Sequence, residues 1–324
     1  MARHEAGAGH ESAARMDDIM SKTPALTAAL KGERRTFETE HGTISYYFAN
    51  EGEADRTPLV LIHSINAAAS AYEVKPIYDR YRRQRPVAAI DLPGYGFSSR
   101  RAMRYTPRLM TDAIHAWVAR IAADTGAAQV DAMACSVACQ YLARAAQERP
   151  ECYRSIGLVS PAGVDGDPQP GANADATRGK PWLYGALTAS SAVSKTLFAG
   201  LASRPSIRYF LEKTFGGKDV EPGLVDYAYR SAHQPGARHA PWSFLSGYLF
   251  SADAAGLYRR LSQPVWLAYG TRSDFSDAAA RDIVQQHTAS TVVSFDAGAL
   301  PHFQQLEAFV AGYDRFLASL ETSG

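Results

Sequence analysis

The sequence has no excess of either charge, no long apolar run and very little cysteine, and each shortage removes a class of function. Thirty-four Lys and Arg stand against 33 Asp and Glu in 324 residues. The cation surplus that neutralises phosphates and releases counterions is missing, so no nucleic-acid partner is expected. The most basic local run, Arg80, Arg82, Arg83 and Arg85, reads as a solvated helix end followed by a loop. No stretch approaches the roughly 18 consecutive apolar residues that span a bilayer. Arg3, His4, Glu5 and Glu11 stand where a signal peptide places its apolar run, so a cytoplasmic protein without a membrane partner is expected. Cys135, Cys139 and Cys152 are the only cysteines, too few and too uneven for a disulfide framework, which fits a reducing compartment.

What is present is apolar. At 46% hydrophobic and 21% charged residues, the chain is long and apolar enough for one large core domain with an insertion, and disorder is excluded. Residues 1–33 are rich in Ala, Gly and charge and read as a frayed N-terminal extension, in which Met16 to Leu30 forms at most one helix lying on the body. From Arg35 onward, short apolar runs alternate with helical patterns, the signature of a largely parallel sheet with helices on both faces. Strands are expected at Thr36–Glu38, Thr43–Phe48, Pro58–His63, Pro86–Asp91, Gln129–Ala134, Ser155–Ser160, Val265–Gly270 and Thr291–Phe295. Continuous runs such as Leu59-Val60-Leu61-Ile62 suit strands buried on both faces. Helices are expected to begin near Ala71, Pro107, Ser136 and Asp277. A last one carries Leu306, Phe309, Val310, Tyr313, Phe316, Leu317 and Leu320 on one face.

The alternation stops between about Gly163 and Leu261, where a Gly/Pro/Asp/Asn loop leads into helical segments without strands. The expected division is therefore a core of residues 34–163 and 262–324 and a helical cap, or lid, of residues 164–261. Residues 181–260 contain 13 aromatics in 80 positions, about 16% against 10% for the chain. Trp242, Phe244 and Tyr248 are the expected lid aromatics lining a substrate pocket, although residues two apart on a helix cannot all point one way.

The segment Val130 to Cys139 reads as a strand that stops at a serine and continues as a helix. A nucleophile on such a turn needs small residues two before and two after it, so that strand and helix can approach. Ala134 and Ala138 satisfy this for Ser136. Centring on Cys135 would place bulky Met133 and Val137 there, so Ser136 is the candidate.

Two upstream motifs stand in a telling order. His63-Ser64-Ile65-Asn66 follows an apolar strand, and Asp91-Leu92-Pro93-Gly94-Tyr95-Gly96-Phe97-Ser98 follows the next. With the serine turn they resemble the α/β-hydrolase fold superfamily: the first is similar to its oxyanion loop, the second to its Asp-x-Pro-Gly-x-Gly-x-Ser loop. The resemblance spans roughly Phe37 to Ala162 and Val265 to Leu320. It implies a mostly parallel eight-stranded sheet flanked by helices, with a helical lid inserted. It also implies an oxyanion hole made by the Ile65 and Val137 backbone N–H groups. The pattern departs in having alanines for both elbow glycines and Ser64 for the oxyanion-loop glycine.

A serine nucleophile needs a base and an orienting acid, in the chain order Ser, Asp, His. Asp274 follows the strand Val265–Gly270, and His302 follows Thr291–Phe295, where the family places these groups. The other downstream histidine, His287, is expected inside a helix, Ala278 to Gln286, running away from the strand ends. Asp277 and Asp165 stay open as alternative acids. No metal or cofactor is implied, because the His and Cys spacings match no metal motif and the Gly94-Tyr95-Gly96 pair lacks the third glycine of a dinucleotide loop.

The expected activity is hydrolysis of a small carboxylic ester, lactone or thioester through an acyl-enzyme on Ser136. The expected partner is thus a small molecule with a reactive carbonyl. Non-hydrolytic chemistry on the same triad (lyase, cyclase or C–C bond cleavage) and a catalytically silent ligand-binding member are the alternatives. The sequence is silent on oligomeric state and on the substrate's identity.

Overall fold

The computed structural model describes residues 24–53, 55–164, 175–273, 275, 277–287 and 289–322. β1 (Glu33–Thr39) and β2 (Gly42–Ala49) form an antiparallel hairpin. Then come β3 (Leu59–Ile62), a 3₁₀ turn over Ala71–Val74 leading into α1 (Lys75–Tyr81), β4 (Val87–Asp91), α2 (Pro107–Thr125), β5 (Val130–Cys135), α3 (Ala138–Glu148) and β6 (Tyr153–Val159). Among the described residues six helices follow: α4 (Pro181–Thr188), α5 (Ser191–Leu201), α6 (Arg204–Phe215), α7 (Pro222–Ala232), α8 (His239–Leu245) and α9 (Ala254–Arg259). The chain then returns through β7 (Val265–Gly270), α10 (Ala278–Gln285), β8 (Ser290–Phe295), α11 (Pro301–Gln304) and α12 (Leu306–Glu321).

The eight strands lie in the order β1-β2-β4-β3-β5-β6-β7-β8. β1, β2 and β4 pair antiparallel, and every pair from β4 onward is parallel. Strand periodicity sorts the central side chains into two layers. Val60, Ile62, Ala88, Ile90, Ala132 and Ala134 face Ile114, Trp117 and Ile121 of α2 and Tyr141 and Leu142 of α3. Leu59, Leu61, Val87, Ala89, Met133 and Cys135 face Ile77, Tyr78 and Tyr81 of α1 and Phe309, Tyr313 and Phe316 of α12. Local signals set the helix limits. The Thr106 side chain accepts the Leu109 N–H at the start of α2, Pro107 opens it, and Gly126 at φ 69° ends it. Among the described residues no helix is long and apolar enough to cross a membrane.

All eight expected strands form, with shifted ends. β1 extends beyond Thr36–Glu38 because the hairpin ladder, Glu33↔Phe48 through Thr39↔Gly42, carries charged residues that alternation alone discounts. The helix expected from Ser136 begins two residues later. Residues 1–23 of the N-terminal extension, including Met16 to Thr23 of its expected helix, lie outside the described residues. Pro24–Leu30 is neither helical nor frayed. Its carbonyls at Pro24 and Thr27 accept from Gln234 Nε2 (2.8 Å) and the Tyr227 hydroxyl (3.1 Å), the Ala29 N–H donates to the Tyr47 hydroxyl (3.0 Å), and Ala29 and Leu30 are buried.

The arginine run departs from expectation at two positions, while Arg80 and Arg83 are exposed as expected. Arg82 and Arg85 are buried, because each finds a carboxylate: Arg82 pairs with Glu51, and Arg85 with Asp131. Asp131, fully buried at the start of β5, also accepts from Arg154 Nε (2.9 Å), Arg154 Nη2 (2.6 Å) and the Ser155 hydroxyl (2.6 Å). Arg85 Nε donates to the Thr57 carbonyl at 2.6 Å. One carboxylate thus ties together the entries of β3, β4, β5 and β6, at the edge opposite Ser136. Asp131→Ala leaves the Arg85 guanidinium buried without its partner, and stability should fall by about 3–5 kcal/mol. The readout is a lower urea midpoint at unchanged m-value. A wild-type midpoint would refute it.

Candidate active site

Ser136 stands where β5 ends and the chain turns into α3. Its φ of 54° lies in the left-handed region, which costs a non-glycine residue about 1–3 kcal/mol unless its surroundings enforce it. They do so by backbone bonds. The Ser136 N–H donates to the Val159 carbonyl of β6 (2.8 Å), and the Cys139 N–H donates to the Ser136 carbonyl (3.1 Å). Ala134 and Ala138, the residues two before and two after, are fully buried, so larger side chains there would separate strand from helix. Cys135 points into the α1 and α12 layer, where burial pushes its thiol pKa well up. A thiol held protonated there is a poor nucleophile.

The loop after β3 lies beside this turn, because β3 and β5 are parallel neighbours with Ile62 opposite Ala134. His63 is fully buried. Its Nδ1 donates to the Ser64 carbonyl (2.6 Å), and its Nε2 accepts the Leu92 N–H (3.0 Å). Those partners assign the proton to Nδ1. Burial lowers the His63 pKa from 6.5 to about 4, so the ring is a neutral tie between the loops after β3 and β4. The motif after β4 completes that scaffold. Asp91 accepts the N–H groups of Ala71 (2.9 Å) and Phe97 (3.0 Å). A Cβ on Gly96, at φ 49°, would stand 1.9 Å from the Asp91 carboxyl carbon. Within this frame the backbone N–H groups of Ile65 and Val137 have no acceptor among the described residues.

His302 opens on α11, fully buried, with the rings of Phe303 and Phe309 at 5.2 and 5.3 Å. Its Nε2 donates to the main-chain carbonyl of Glu73 at 2.7 Å, and its Nδ1 has no hydrogen-bond partner among the described residues. Burial, opposed by the Glu73 hydrogen bond, lowers its pKa from 6.5 to about 4. Among the described residues no hydrogen bond joins His302 to Ser136. Asp274 and Asp165 lie outside the described residues. Asp277 caps α10 through the Ala280 N–H (2.9 Å) and accepts the Val164 N–H (2.7 Å). His287 lies after α10, not within it. Its Nε2 donates to the Leu261 carbonyl at 2.7 Å, near the starts of β7 and β8 and at the far edge of the sheet from Ser136.

The three expected pocket aromatics have mainly packing contacts. The Trp242 indole N–H donates to Ser194 Oγ (2.7 Å), and its ring meets Phe198. Phe244 stacks on Phe250. Tyr248 lies edge-on to Tyr184, with the Arg104 guanidinium 4.6 Å above its ring. No hydrogen bond or ring contact among the described residues joins them to Ser136, His302 or residues 63–66. Ala68, just past that loop, does pack on the cluster that contains Trp242.

Sequence reasoning missed Glu73. It is buried in the 3₁₀ turn after β3, where its Oε2 accepts the Ser64 N–H (2.9 Å) and its Oε1 accepts from Asn66 Nδ2 (2.7 Å). The signal was a single acid inside Ala69-Ser70-Ala71-Tyr72-Glu73-Val74, a stretch otherwise free of charge.

Known proteins place this architecture. Solved structures similar to it include a probable hydrolytic enzyme from Pseudomonas aeruginosa PAO1 (TM-score 0.64, 18% identity, 90% of this chain and 96% of that chain). Another is the 2-hydroxy-6-oxo-6-phenylhexa-2,4-dienoate hydrolase from Rhodococcus sp. strain RHA1 (0.67, 15%, 89% and 100%). A third is the enol-lactonase from Burkholderia xenovorans LB400 (0.67, 16%, 88% and 100%). At such identities the likeness is one of fold. No curated protein matches the chain in sequence. Residues 59–312, most of the chain and all of the strands from β3 onward, match the alpha/beta hydrolase family, and the protein belongs to that family.

Proposed function

We propose that the protein is a serine hydrolase that cleaves a small carboxylic ester, lactone or thioester. Ser136 is the nucleophile, His302 the base and Asp274 the acid that orients it. The observation that carries this reading is the left-handed turn at Ser136, beside two backbone N–H groups, of Ile65 and Val137, that have no acceptor among the described residues. Ser136 Oγ attacks the carbonyl carbon and its proton passes to His302. The carbonyl oxygen, now an anion, accepts from those N–H groups. Collapse expels the alcohol or thiol, which takes the proton from His302. Water, deprotonated by the same histidine, then releases the acid and restores Ser136. For this cycle His302 leaves the Glu73 carbonyl and its ring proton moves from Nε2 to Nδ1, towards Asp274, so that Nε2 can accept the Ser136 proton.

The resting hydrogen bond from His302 to Glu73 favours one competing reading, a ligand-binding member without turnover. A fluorophosphonate probe that labels Ser136, together with turnover of short-chain aryl esters, supports the hydrolase. Labelling without turnover points to non-hydrolytic chemistry, and neither points to the silent member.

Ser136→Ala should lower ester turnover on the order of 10³-fold or more with the fold intact. Cys135→Ala should be far milder, and equal loss in two folded variants would move the nucleophile away from Ser136.

The pH profile follows from burial. A base works while unprotonated, so a pKa lowered from 6.5 to about 4 moves the loss of activity to more acid solution. kcat/KM should stay level as pH falls through 6.5 and decline only towards 4. A decline centred at 6.5 would contradict this.

The six described helices between β6 and β7 act in this reading as a cap over the carboxyl ends of the strands, where open α/β sheets bind ligands. Single alanine substitutions at Trp242, Phe244 and Tyr248, assayed on short and long acyl esters, identify pocket walls by a changed chain-length preference. The contacts of Trp242 predict a stability loss of about 3–5 kcal/mol with that preference unchanged.

A further inference from the structure

We propose that Glu73 is the positioning residue of this site: its carboxyl sets the loop that carries the Ile65 N–H, and its main-chain carbonyl sets the resting orientation of His302. The inference rests on the hydrolase reading above. A carboxylate buried to 3% exposure is costly to keep. Among the described residues no Lys, Arg or His pairs with this one. Instead both of its oxygens accept hydrogen bonds from the loop after β3, one from the Ser64 backbone and one from the Asn66 side chain. Ser64 and Asn66 are the two neighbours of Ile65, so the carboxyl grips the loop on either side of the proposed oxyanion donor. Asn66 extends the grip, because its Nδ2 also reaches Ser64 Oγ (3.1 Å) and its Oδ1 accepts the Ala68 N–H (2.7 Å).

The residue that holds the loop is itself fixed. The Glu73 N–H donates to the Ser70 carbonyl (3.0 Å), and the Ala71 N–H donates to Asp91 Oδ1. The 3₁₀ turn is therefore tied to the end of β4. On the other side, the Glu73 carbonyl accepts from His302 Nε2. Through one residue, the proposed oxyanion donor and the proposed base, from the loops after β3 and β8, are held in a single frame. Burial also raises the Glu73 pKa, with the Ser64 and Asn66 bonds opposing it.

A glutamine in place of Glu73 has one accepting oxygen, and its NH₂ would face a donor, so only one of the two grips survives. In Glu73→Gln, kcat per fluorophosphonate-labelled Ser136 should fall on the order of 10- to 100-fold, because small misplacement of an oxyanion donor is felt in the transition state. KM should change by less than about threefold. Affinity for a trifluoromethyl ketone that forms a tetrahedral adduct should fall by the same factor as kcat/KM. Asn66→Ala removes one grip from the other end. Its smaller loss should be less than additive with Glu73→Gln, since both act through one network.

A merely structural role would lower melting temperature and the number of labelled sites while leaving kcat per labelled site at the wild-type value. That result overturns the proposal. If Glu73→Gln does not fold, Asn66→Ala carries the test, and wild-type kcat per labelled site in it overturns the proposal equally. Wild-type protein that neither labels nor turns over ester sinks the hydrolase reading and this inference with it. Wild-type activity matched by both variants sinks this inference alone.

Discussion

Everything at the carboxyl edge of the sheet follows from one constraint: the chain leaves a buried strand and enters a buried helix through a single residue at positive φ. Ser136 can hold φ 54° only because its N–H is fixed to β6 and its carbonyl to the first turn of α3. That geometry requires small residues at positions 134 and 138, here both alanine, and it leaves the serine side chain only partly covered at the strand end. It also leaves the Val137 N–H at a helix start, where backbone donors have no partner within the helix. Strain, small neighbours and an available donor are consequences of the same turn.

The surrounding loops are arranged to keep that turn company. The loops after β3, β4 and β8 are joined by buried polar groups: His63 joins the β3 and β4 loops, Asp91 joins the β4 loop to the 3₁₀ turn, and Glu73 joins that turn to the β3 loop and to His302. Burial makes each bond matter, since an unpaired donor or acceptor there costs the desolvation it suffered without return. At the opposite edge the Asp131 cluster does the corresponding task for the strand entries. The parallel sheet is thus clamped at both ends by polar networks, with apolar layers between.

Much of this was legible locally. Continuous apolar runs mark β3, β4 and β7, because a strand covered on both faces has no polar side to alternate. The small-residue frame selects Ser136 over Cys135, because steric demand at a tight turn acts on near neighbours. Asp91 and Gly96 sit in a motif whose spacing is itself the structure, a carboxylate closing on a turn that has no room for a Cβ. The roles of Arg82 and Arg85 were not legible, since a run of arginines reads as a solvated surface until Glu51 and Asp131, far away in sequence, arrive beside them. Pro24–Leu30 is illegible for the same reason: its composition is that of a loose tail, and its hydrogen-bond partners lie in β2 and α7 or just beyond it.

The sequence by itself determined the alternation of strand and helix, the position of the strained serine and the order in which the site's loops follow one another, because these depend on side chains within a few residues of each other. Only the tertiary structure decided that Glu73 reaches Ser64, Asn66 and His302, that His302 rests on a carbonyl, and that Trp242 packs on Phe198. Those contacts join segments as far as 229 residues apart. Which buried polar group meets which is set by the packing of whole elements, and no local pattern encodes it.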